Sequence, residues 1–290
     1  MTLPYDLANH RSGGLALSVL MLVAAHEVAI AEDRGDELTE PLFTERSFIE
    51  NNAELDTEFE GADDGDGLEV SGEVNWVFVD RLQLGISVPV GVNFPDDGQT
   101  VASLSDVEFS AQVLVCCESG WPLDFLSLRG EVAAPTGSRS KDIGGDGSFG
   151  FSVLAGRLFP LTESLPDLGV QLQVGYEQQI RLDDEQRDTA RDEDLSRTRE
   201  KDVIWNLALT QNYSQWGIQP VFEVLGTSTV DGLQNKDEGT IVEVGGGFWW
   251  TPFPGGQGIE NFNIGVGAKG PVTTRNDSNF TALLVFDWSL

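Results

Sequence analysis

The strongest constraint on this chain is a two-residue alternation of apolar and polar side chains that runs through most of its sequence. In the clearest run, the apolar positions are Leu82, Leu84, Ile86, Val88, Val90, Val92 and Phe94. Between them lie Gln83, Gly85, Ser87, Pro89, Gly91 and Asn93. Successive side chains of a β-strand point to opposite faces. The run therefore predicts a strand with one apolar and one polar face.

Twelve segments alternate in this way, and most of them are eleven to fifteen residues long. They span residues 48–59, 68–79, 82–94, 105–117, 124–135, 148–159, 168–182, 202–213, 216–227, 240–251, 260–270 and 279–290. Strands of soluble proteins are usually about 5–6 residues long, whereas membrane-spanning strands need about 9–11. We therefore expect an all-β fold, an antiparallel up-and-down transmembrane β-barrel of about 12 strands. The alternative is a soluble secreted β-protein, which would partition into the aqueous phase without detergent.

The connections and the aromatic residues agree with a barrel. Short links at 80–81, 118–123, 159–167, 214–215 and 252–258 alternate with acidic, glycine-rich links at 62–67, 95–103, 136–147, 183–201, 228–239 and 271–278. Short periplasmic turns and longer external loops are typical of outer-membrane barrels. Aromatic residues cluster near the segment ends on the apolar face, Phe48, Trp76, Phe78, Phe125 and Trp216 among them. This clustering predicts the two aromatic girdles of such a barrel.

The first 31 residues have the features of a secretory signal peptide. Residues 15–25 are mostly apolar, too few for a membrane-spanning helix, and small residues at Ala29 and Ala31 fit a cleavage site. The alternative is a buried N-terminal helix. We expect a signal peptide at 1–31, an acidic segment at 32–47 and the barrel at 48–290. The acidic segment lacks alternation, and both a periplasmic tail and a short plug fit it.

Composition argues against several classes of function. The chain has 48 acidic and 17 basic residues, a net charge of −31, so we expect no nucleic-acid partner. Its two histidines, His10 and His26, lie in the predicted signal peptide, which leaves no imidazole base or ligand in the mature chain. Cys116 and Cys117 are adjacent and form no zinc motif. We predict no enzymatic activity, no metal and no cofactor, and regard a lipid-modifying barrel enzyme as a minor rival.

Several short motifs resemble a family of bacterial outer-membrane barrels named for transport in the phenol-degradation meta-pathway. They are Trp76-Val77-Phe78-Val79-Asp80-Arg81-Leu82-Gln83-Leu84, Leu104-Ser105-Asp106-Val107, Ala134-Pro135-Thr136-Gly137, Phe222-Glu223-Val224 and Gly265-Val266-Gly267. They follow the family's order and cover roughly residues 68–290. Ser105 stands where the family usually has Gly. The resemblance implies an outer-membrane barrel that acts as a channel, without specifying its solute.

The polar face of each strand would point into the barrel, and charged residues there are the candidate pore lining. Charges are costly on the lipid face, which supports the inward assignment. An acidic lumen favours cations and neutral solutes over anions. The alternative is that these groups pair with one another and form a hydrated plug. The candidates are Glu73, Glu108, Arg129, Glu131, Glu177, Arg181, Glu223, Glu243 and Lys269.

Two prolines, Pro89 and Pro220, fall inside predicted strands, where each removes one ladder donor. Each is consistent with a kink that opens the wall to an apolar solute, or with a bulge shielded by its neighbours.

The predicted function is passive uptake of small solutes, with apolar and aromatic solutes among the candidates, across the outer membrane of a Gram-negative bacterium. The alternative is a barrel with a structural or surface-interaction role and no transport. The predicted partners are outer-membrane lipids and lipopolysaccharide, the barrel-assembly machinery and a small-molecule solute.

Overall fold

The computed structural model describes residues 41–62, 65–79, 81–95, 99–116, 122–138, 143, 145, 147–162, 165–179, 201–213, 216–231, 240–252, 262–273 and 278–290. The predicted signal peptide and Arg181 lie outside this range. The described residues form β1 (Asn52–Ala62), β2 (Gly65–Val79), β3 (Leu82–Pro95), β4 (Val101–Leu104), β5 (Val107–Cys116), β6 (Phe125–Ala134), β7 (Ser148–Phe159), β8 (Leu168–Gln179), β9 (Lys201–Gln211), β10 (Ile218–Asp231), β11 (Thr240–Trp250), β12 (Phe262–Pro271) and β13 (Ser278–Ser289). No helix among them is long and apolar enough to cross a membrane.

The strands form one closed antiparallel sheet. Neighbours in sequence pair with each other, and β1 pairs with β13 from Asn52↔Ser289 to Ala62↔Ser278, which closes the barrel. Both β4 and β5 pair with β3, so they are two pieces of one wall strand, and the barrel has twelve wall strands. Closure gives every wall strand two neighbours, the condition for a sheet to lie in lipid. The predicted all-β barrel of about 12 strands is confirmed.

The fourth wall strand is interrupted opposite Pro89. Pairing of β3 with β5 ends at Ser87↔Glu108, and pairing with β4 begins at Val90↔Leu104. The carbonyl of Pro89 accepts the N–H of Ser105 at 2.9 Å. In an antiparallel ladder, the N–H and C=O of one residue point to the same neighbour, so the donor that proline lacks would have faced this strand. The wall bulges where that hydrogen bond cannot form.

The second proline, Pro220, lies at a similar gap. The ladder between β10 and β9 ends at Val221↔Thr210, and beyond it a single bridge joins Tyr213 and Ile218. Both prolines thus sit where one ladder of their strand is broken, and the side opening and the shielded bulge both stay predictions.

The outer surface of the barrel is apolar and its interior is polar, the reverse of a soluble protein. Leu84, Ile86 and Val88 are exposed on the outer face of β3, whereas Gln83 and Ser87 are buried on its inner face. This arrangement places apolar side chains in the hydrocarbon and polar ones in the lumen. The inner face of the alternation is therefore the one that forms the site.

The aromatic residues at the strand ends divide into two groups. Trp76, Phe78 and Trp216 are exposed on the outside, as expected for a girdle. Phe48 and Phe125 were expected beside them, and that expectation is wrong: they are 5% and 1% exposed and pack together inside the barrel. Their ring centroids are 6.1 Å apart. Phe48 precedes β1, which begins at Asn52, and the residues before that strand turn into the lumen.

Candidate functional site: the barrel interior

Residues 41–50, here called the docking segment, lie inside the barrel and contact its inner wall on several sides. The Glu223 carboxylate on β10 accepts the N–H groups of Leu42 at 2.7 Å and Phe43 at 2.9 Å, both through Oε1. Glu223 is fully buried. A buried carboxylate needs partners of this kind, because transferring it from water without them is very costly. The segment is therefore part of the interior rather than a loosely placed tail.

Uncharged amides and hydroxyls hold the next residues of the docking segment. Gln171 Oε1 accepts both the N–H (3.0 Å) and the hydroxyl (2.9 Å) of Ser47, whose carbonyl accepts from the Ser127 hydroxyl at 2.7 Å. The Gln112 amide donates to the carbonyls of Arg46 and Phe48, each at 3.1 Å. Further acceptors are Gln173 Oε1 for the N–H of Glu45 and Gln83 Oε1 for the N–H of Glu50. These wall side chains bind main-chain atoms, so they satisfy a segment that has no ladder of its own.

Ion pairs tie the docking segment to the wall in both directions. The segment's Arg46 pairs with Glu54 on β1 and with Glu50 in the segment itself. Arg129 on β6 pairs with Glu45 of the segment at 2.9 Å and with Glu131 at 3.2 Å. Arg46 is 7% exposed and Arg129 is 10% exposed, whereas the carboxylates of Glu50, Glu131 and Glu45 are 29%, 33% and 36% exposed. Removing a carboxylate would therefore leave a shielded guanidinium without that partner, whereas removing an arginine leaves carboxylates that water still reaches.

At the end of the barrel that carries Asn52 and Ser289, the docking segment completes an apolar layer. Phe48 packs with Leu114 of β5 and Phe125 of β6, and Ile49 lies against them. This layer closes one side of the lumen at that end. Cys116 is buried at 8% exposure, which agrees with its interpretation as a small filler, whereas Cys117 lies outside the described residues.

A polar cavity of about 330 Å³ remains between the docking segment and the wall, lined by residues of β1, β2, β3, β5, β6, β11, β12 and β13. Carboxylates dominate its lining, and Glu58, Glu69, Glu73 and Glu108 all face it. Two smaller cavities, of about 120 Å³ and 240 Å³, lie beside Glu131 and beside Asn93. The interior is therefore hydrated and strongly acidic where the segment does not fill it.

The structure places the predicted pore residues that it describes in four settings. Glu73, Glu108, Arg129 and Lys269 line the 330 Å³ cavity. Glu131 and Glu177 line the 120 Å³ cavity, and Glu243 pairs with Lys269 at 3.4 Å. Glu223 lies beneath the docking segment.

Sequence reasoning missed the uncharged wall residues that hold the segment, above all Gln112 and Gln171. The sequence feature that could have revealed them is a side-chain amide at an inward strand position. Such an amide can both donate to and accept from a backbone.

One group of carboxylates has the spacing of a cation site. Ligand oxygens of Glu54, Asp56 and Glu73 all lie within 4.8 Å of one another. Hard divalent cations prefer such oxygen ligands. Arg46 already donates to Glu54, and the Asn75 amide donates to Glu73 at 2.6 Å. Protein donors thus engage two of the three carboxylates.

Asp106 gathers the external connection between β6 and β7 at the wall interruption. Its carboxylate accepts the N–H groups of Gly137 at 2.8 Å, Gly145 at 2.6 Å and Gly147 at 2.9 Å. Gly145 and Gly147 have φ of 97° and 69°, values that L side chains rarely adopt. Ile143 of the same connection is buried and packs over Gly91 on the inner face of β3. The connection therefore turns inward and narrows the lumen at the loop end.

The fold and its apolar belt define the class: this is an outer-membrane β-barrel of a Gram-negative bacterium. Among solved structures, the barrel is similar to an outer-membrane channel from Pseudomonas putida F1, at 12% identity over 87% of this chain and 100% of that chain, with a TM-score of 0.59.

It is also similar to the NanC porin, at 10% identity over 82% and 100% of the two chains with a TM-score of 0.51. A third likeness is to the β domain of the Bordetella autotransporter BrkA, at 13% identity over 83% and 99% with a TM-score of 0.52. No family model and no curated protein matches the sequence, so the resemblance to the phenol-pathway family stays a prediction.

Proposed function

We propose that this barrel is a narrow outer-membrane channel for passive diffusion of small solutes, with cations and neutral solutes favoured over anions. The observation that carries the proposal is the 330 Å³ interior cavity with its lining of carboxylates. Such a lining repels anions electrostatically and holds water along the path of a polar solute. Two of the structural neighbours are a porin and an outer-membrane channel, which supports a channel role on the ground of fold alone.

The docking segment acts as a plug in this proposal. It occupies one side of the lumen and is bound mainly through its own backbone, as described above. Conduction then takes place through the remaining cavity, or follows displacement of the segment. The role is not catalytic, since a channel of this kind needs only shape, charge and water.

A second path leads through the wall itself. The interruption at Ser105 and Asp106 lies beside outward apolar side chains, including Val90 and Leu104. Apolar solutes that partition into the membrane would enter the lumen there when the Asp106-bound connection moves.

Insertion of such a barrel would require the barrel-assembly machinery, and its outer leaflet partner would be lipopolysaccharide.

The test is conductance of the refolded protein in planar bilayers under a salt gradient. We expect small, cation-selective steps, and larger steps when the segment is loosened by Arg46→Ala. Asp124→Asn, which replaces the carboxylate that accepts the N–H of Leu158, is the matched control.

Silence from both forms, with folding shown by heat-modifiable gel mobility and insertion by co-sedimentation with lipid vesicles, would contradict the channel and support the structural barrel. That alternative is favoured by one observation, the extent to which buried contacts fix the docking segment. A swelling assay on vesicles loaded with neutral sugars distinguishes the channel from the structural barrel without depending on the charge of the solute.

A further inference from the structure

On the side of the lumen formed by β10 to β13, the described wall residues form an apolar groove. Its floor consists of inward-facing glycines, Gly247 on β11 and both Gly265 and Gly267 on β12. A Cβ at Gly267 would lie 2.9 Å from Leu42 Cδ1 and 3.2 Å from Phe43 Cε2. The missing side chains therefore create the space that these two residues fill.

Buried apolar side chains form the sides of the groove. Val221, Trp249, Leu283 and Val285 make one cluster, and Leu42 and Phe43 pack against it. Val221, Leu283 and Val285 occupy inward positions. Each is paired with a polar residue on one neighbouring strand (Thr210, Glu58 and Asp56) and with a glycine on the other (Gly247, Gly267 and Gly265). A groove of this kind binds apolar groups by removing their surface from water.

Polar groups at the groove recognise a peptide backbone. One oxygen of Glu223 accepts two successive N–H groups, and two donors one residue apart are a property of the peptide chain. The other oxygen, Oε2, is buried and has no hydrogen-bond partner in the structure. Lys269 Nζ lies 5.3 Å from the centroid of the Phe43 ring, a cation–π contact that adds a preference for an aromatic group there.

We propose that this groove is a binding site for short apolar peptides, and that Leu42 and Phe43 are its resident occupant. Every contact described is made to the main chain or to the two apolar side chains of the occupant. None of these contacts depends on the occupant's covalent connection to β1. The ligand class is a peptide of two or three residues with adjacent aliphatic and aromatic side chains and free N–H groups.

The experiment removes the resident side chains from the groove in the full-length chain and adds a probe. The protein is the Leu42→Gly, Phe43→Gly double variant in detergent, whose glycine pair keeps its N–H groups but lacks the side chains that pack in the groove, so the probe has to displace it from Glu223. The probe is acetyl-Leu-Phe-amide, followed by titration calorimetry. We expect saturable binding at one site. Binding to the unsubstituted protein should be at least about tenfold weaker, because a tethered occupant competes at an effective concentration on the order of millimolar.

Matched variants, made in the double-glycine chain, test the glycine floor of the groove and the carboxylate that binds the peptide N–H groups. Gly267→Ala should weaken binding at least about tenfold, because its methyl group occupies the position of the probe's side chains. Gly67→Ala should not, since a Cβ there meets only the Glu60 Cβ at 3.9 Å. Glu223→Gln should weaken binding about tenfold through loss of charge-assisted hydrogen bonds. The control for this variant is Asp287→Asn. Asp287 is a buried lumen carboxylate that binds Asn52, and its replacement should leave the affinity for the probe unchanged.

Two further probes separate peptide recognition from general adsorption. Acetyl-Gly-Gly-amide keeps the N–H groups without the side chains, and the analogue with an ester in place of the Leu-Phe amide lacks one donor. Both should bind at least about tenfold more weakly than the parent probe.

The inference is overturned if the double-glycine protein is folded, by heat-modifiable gel mobility, and shows no saturable binding. The inference is also overturned if all three probes bind with equal affinity. The same holds if adding Gly267→Ala to the double variant leaves the affinity for acetyl-Leu-Phe-amide unchanged. If the double glycine variant does not fold, Leu42→Ala, Phe43→Ala serves in its place. The measurement involves no flux, so a silent channel leaves the inference standing, and a conducting channel without peptide binding contradicts this inference alone.

Discussion

At the scale of the residue, Asp106 is a single carboxylate that binds three of the described residues between β6 and β7. Replacing it with Asn leaves one acceptor oxygen for the three glycine N–H groups that it now binds. Each lost hydrogen bond to a charged group costs about 1.5–3 kcal/mol. We expect hydrogen exchange at Gly137, Gly145 and Gly147 to become about tenfold or more faster in Asp106→Asn. Mass spectrometry of exchanged peptides checks this. Unchanged protection would show that the three glycine amides are protected without the Asp106 carboxylate.

Gly217 illustrates a different residue-scale constraint, the backbone conformation of a turn. Its φ is 61°, and its carbonyl accepts the N–H of Thr251, so the turn between β9 and β10 is tied to the end of β11. A side chain in this conformation costs about 1–2 kcal/mol. We expect Gly217→Ala to lower the free energy of unfolding in urea and detergent micelles by about 1 kcal/mol. Gly72→Ala, whose Cβ would meet nothing within 4 Å, is the control, and an equal loss there would refute the argument from φ.

At the scale of the element, the docking segment is held by side chains rather than by a strand ladder, so it should detach without unfolding of the barrel. Gln112 and Gln171 each make two of its hydrogen bonds. Neutral hydrogen bonds contribute about 1 kcal/mol each, so Gln112→Ala and Gln171→Ala together should raise the detached population more than tenfold. Trypsin cleavage after the buried Arg46 measures that population when detachment is fast relative to cleavage.

The control for this cleavage is Gln178→Ala. Gln178 lies on the same strand as Gln171, and it accepts from the Tyr176 hydroxyl rather than from the docking segment. Faster cleavage at Arg46 in Gln178→Ala, or no change in the double variant, would contradict the assigned role of the wall glutamines.

The elements themselves follow from the sequence, because period-two alternation and strand length are local properties that the fold preserves. The inner face of Glu73, Glu108 and Glu223 was predicted from alternation alone. The path of the docking segment was not, because residues 41–47 do not alternate, residues 48–50 continue the alternation of the first strand, and the partners of the segment are dispersed over six wall strands. The displaced Phe48 is a consequence of that path.

At the scale of the whole molecule, the barrel separates an apolar exterior from an acidic interior, and selectivity should follow the interior charge. Glu69 and Glu108 face the 330 Å³ cavity on strands that are not neighbours in the wall. Replacing both by Glu69→Gln and Glu108→Gln removes two acidic groups whose ionised forms attract cations to the path. We expect the reversal potential under a tenfold salt gradient to move towards zero, with the cation preference reduced about twofold or more and the step size little altered.

Salt provides an independent check on the same property. At about 1 M salt the Debye length is about 3 Å, so the original and the neutralised barrel should become nearly equal in selectivity, whereas at about 0.1 M they should differ most. Carboxylates exposed outside the lumen do not contribute to the selectivity, because their distances from the conduction path exceed the Debye length. A cation preference that survives both the substitutions and high salt would mean that the conduction path does not pass the cavity. The wall interruption at Asp106 would then be the route to examine by the same substitutions.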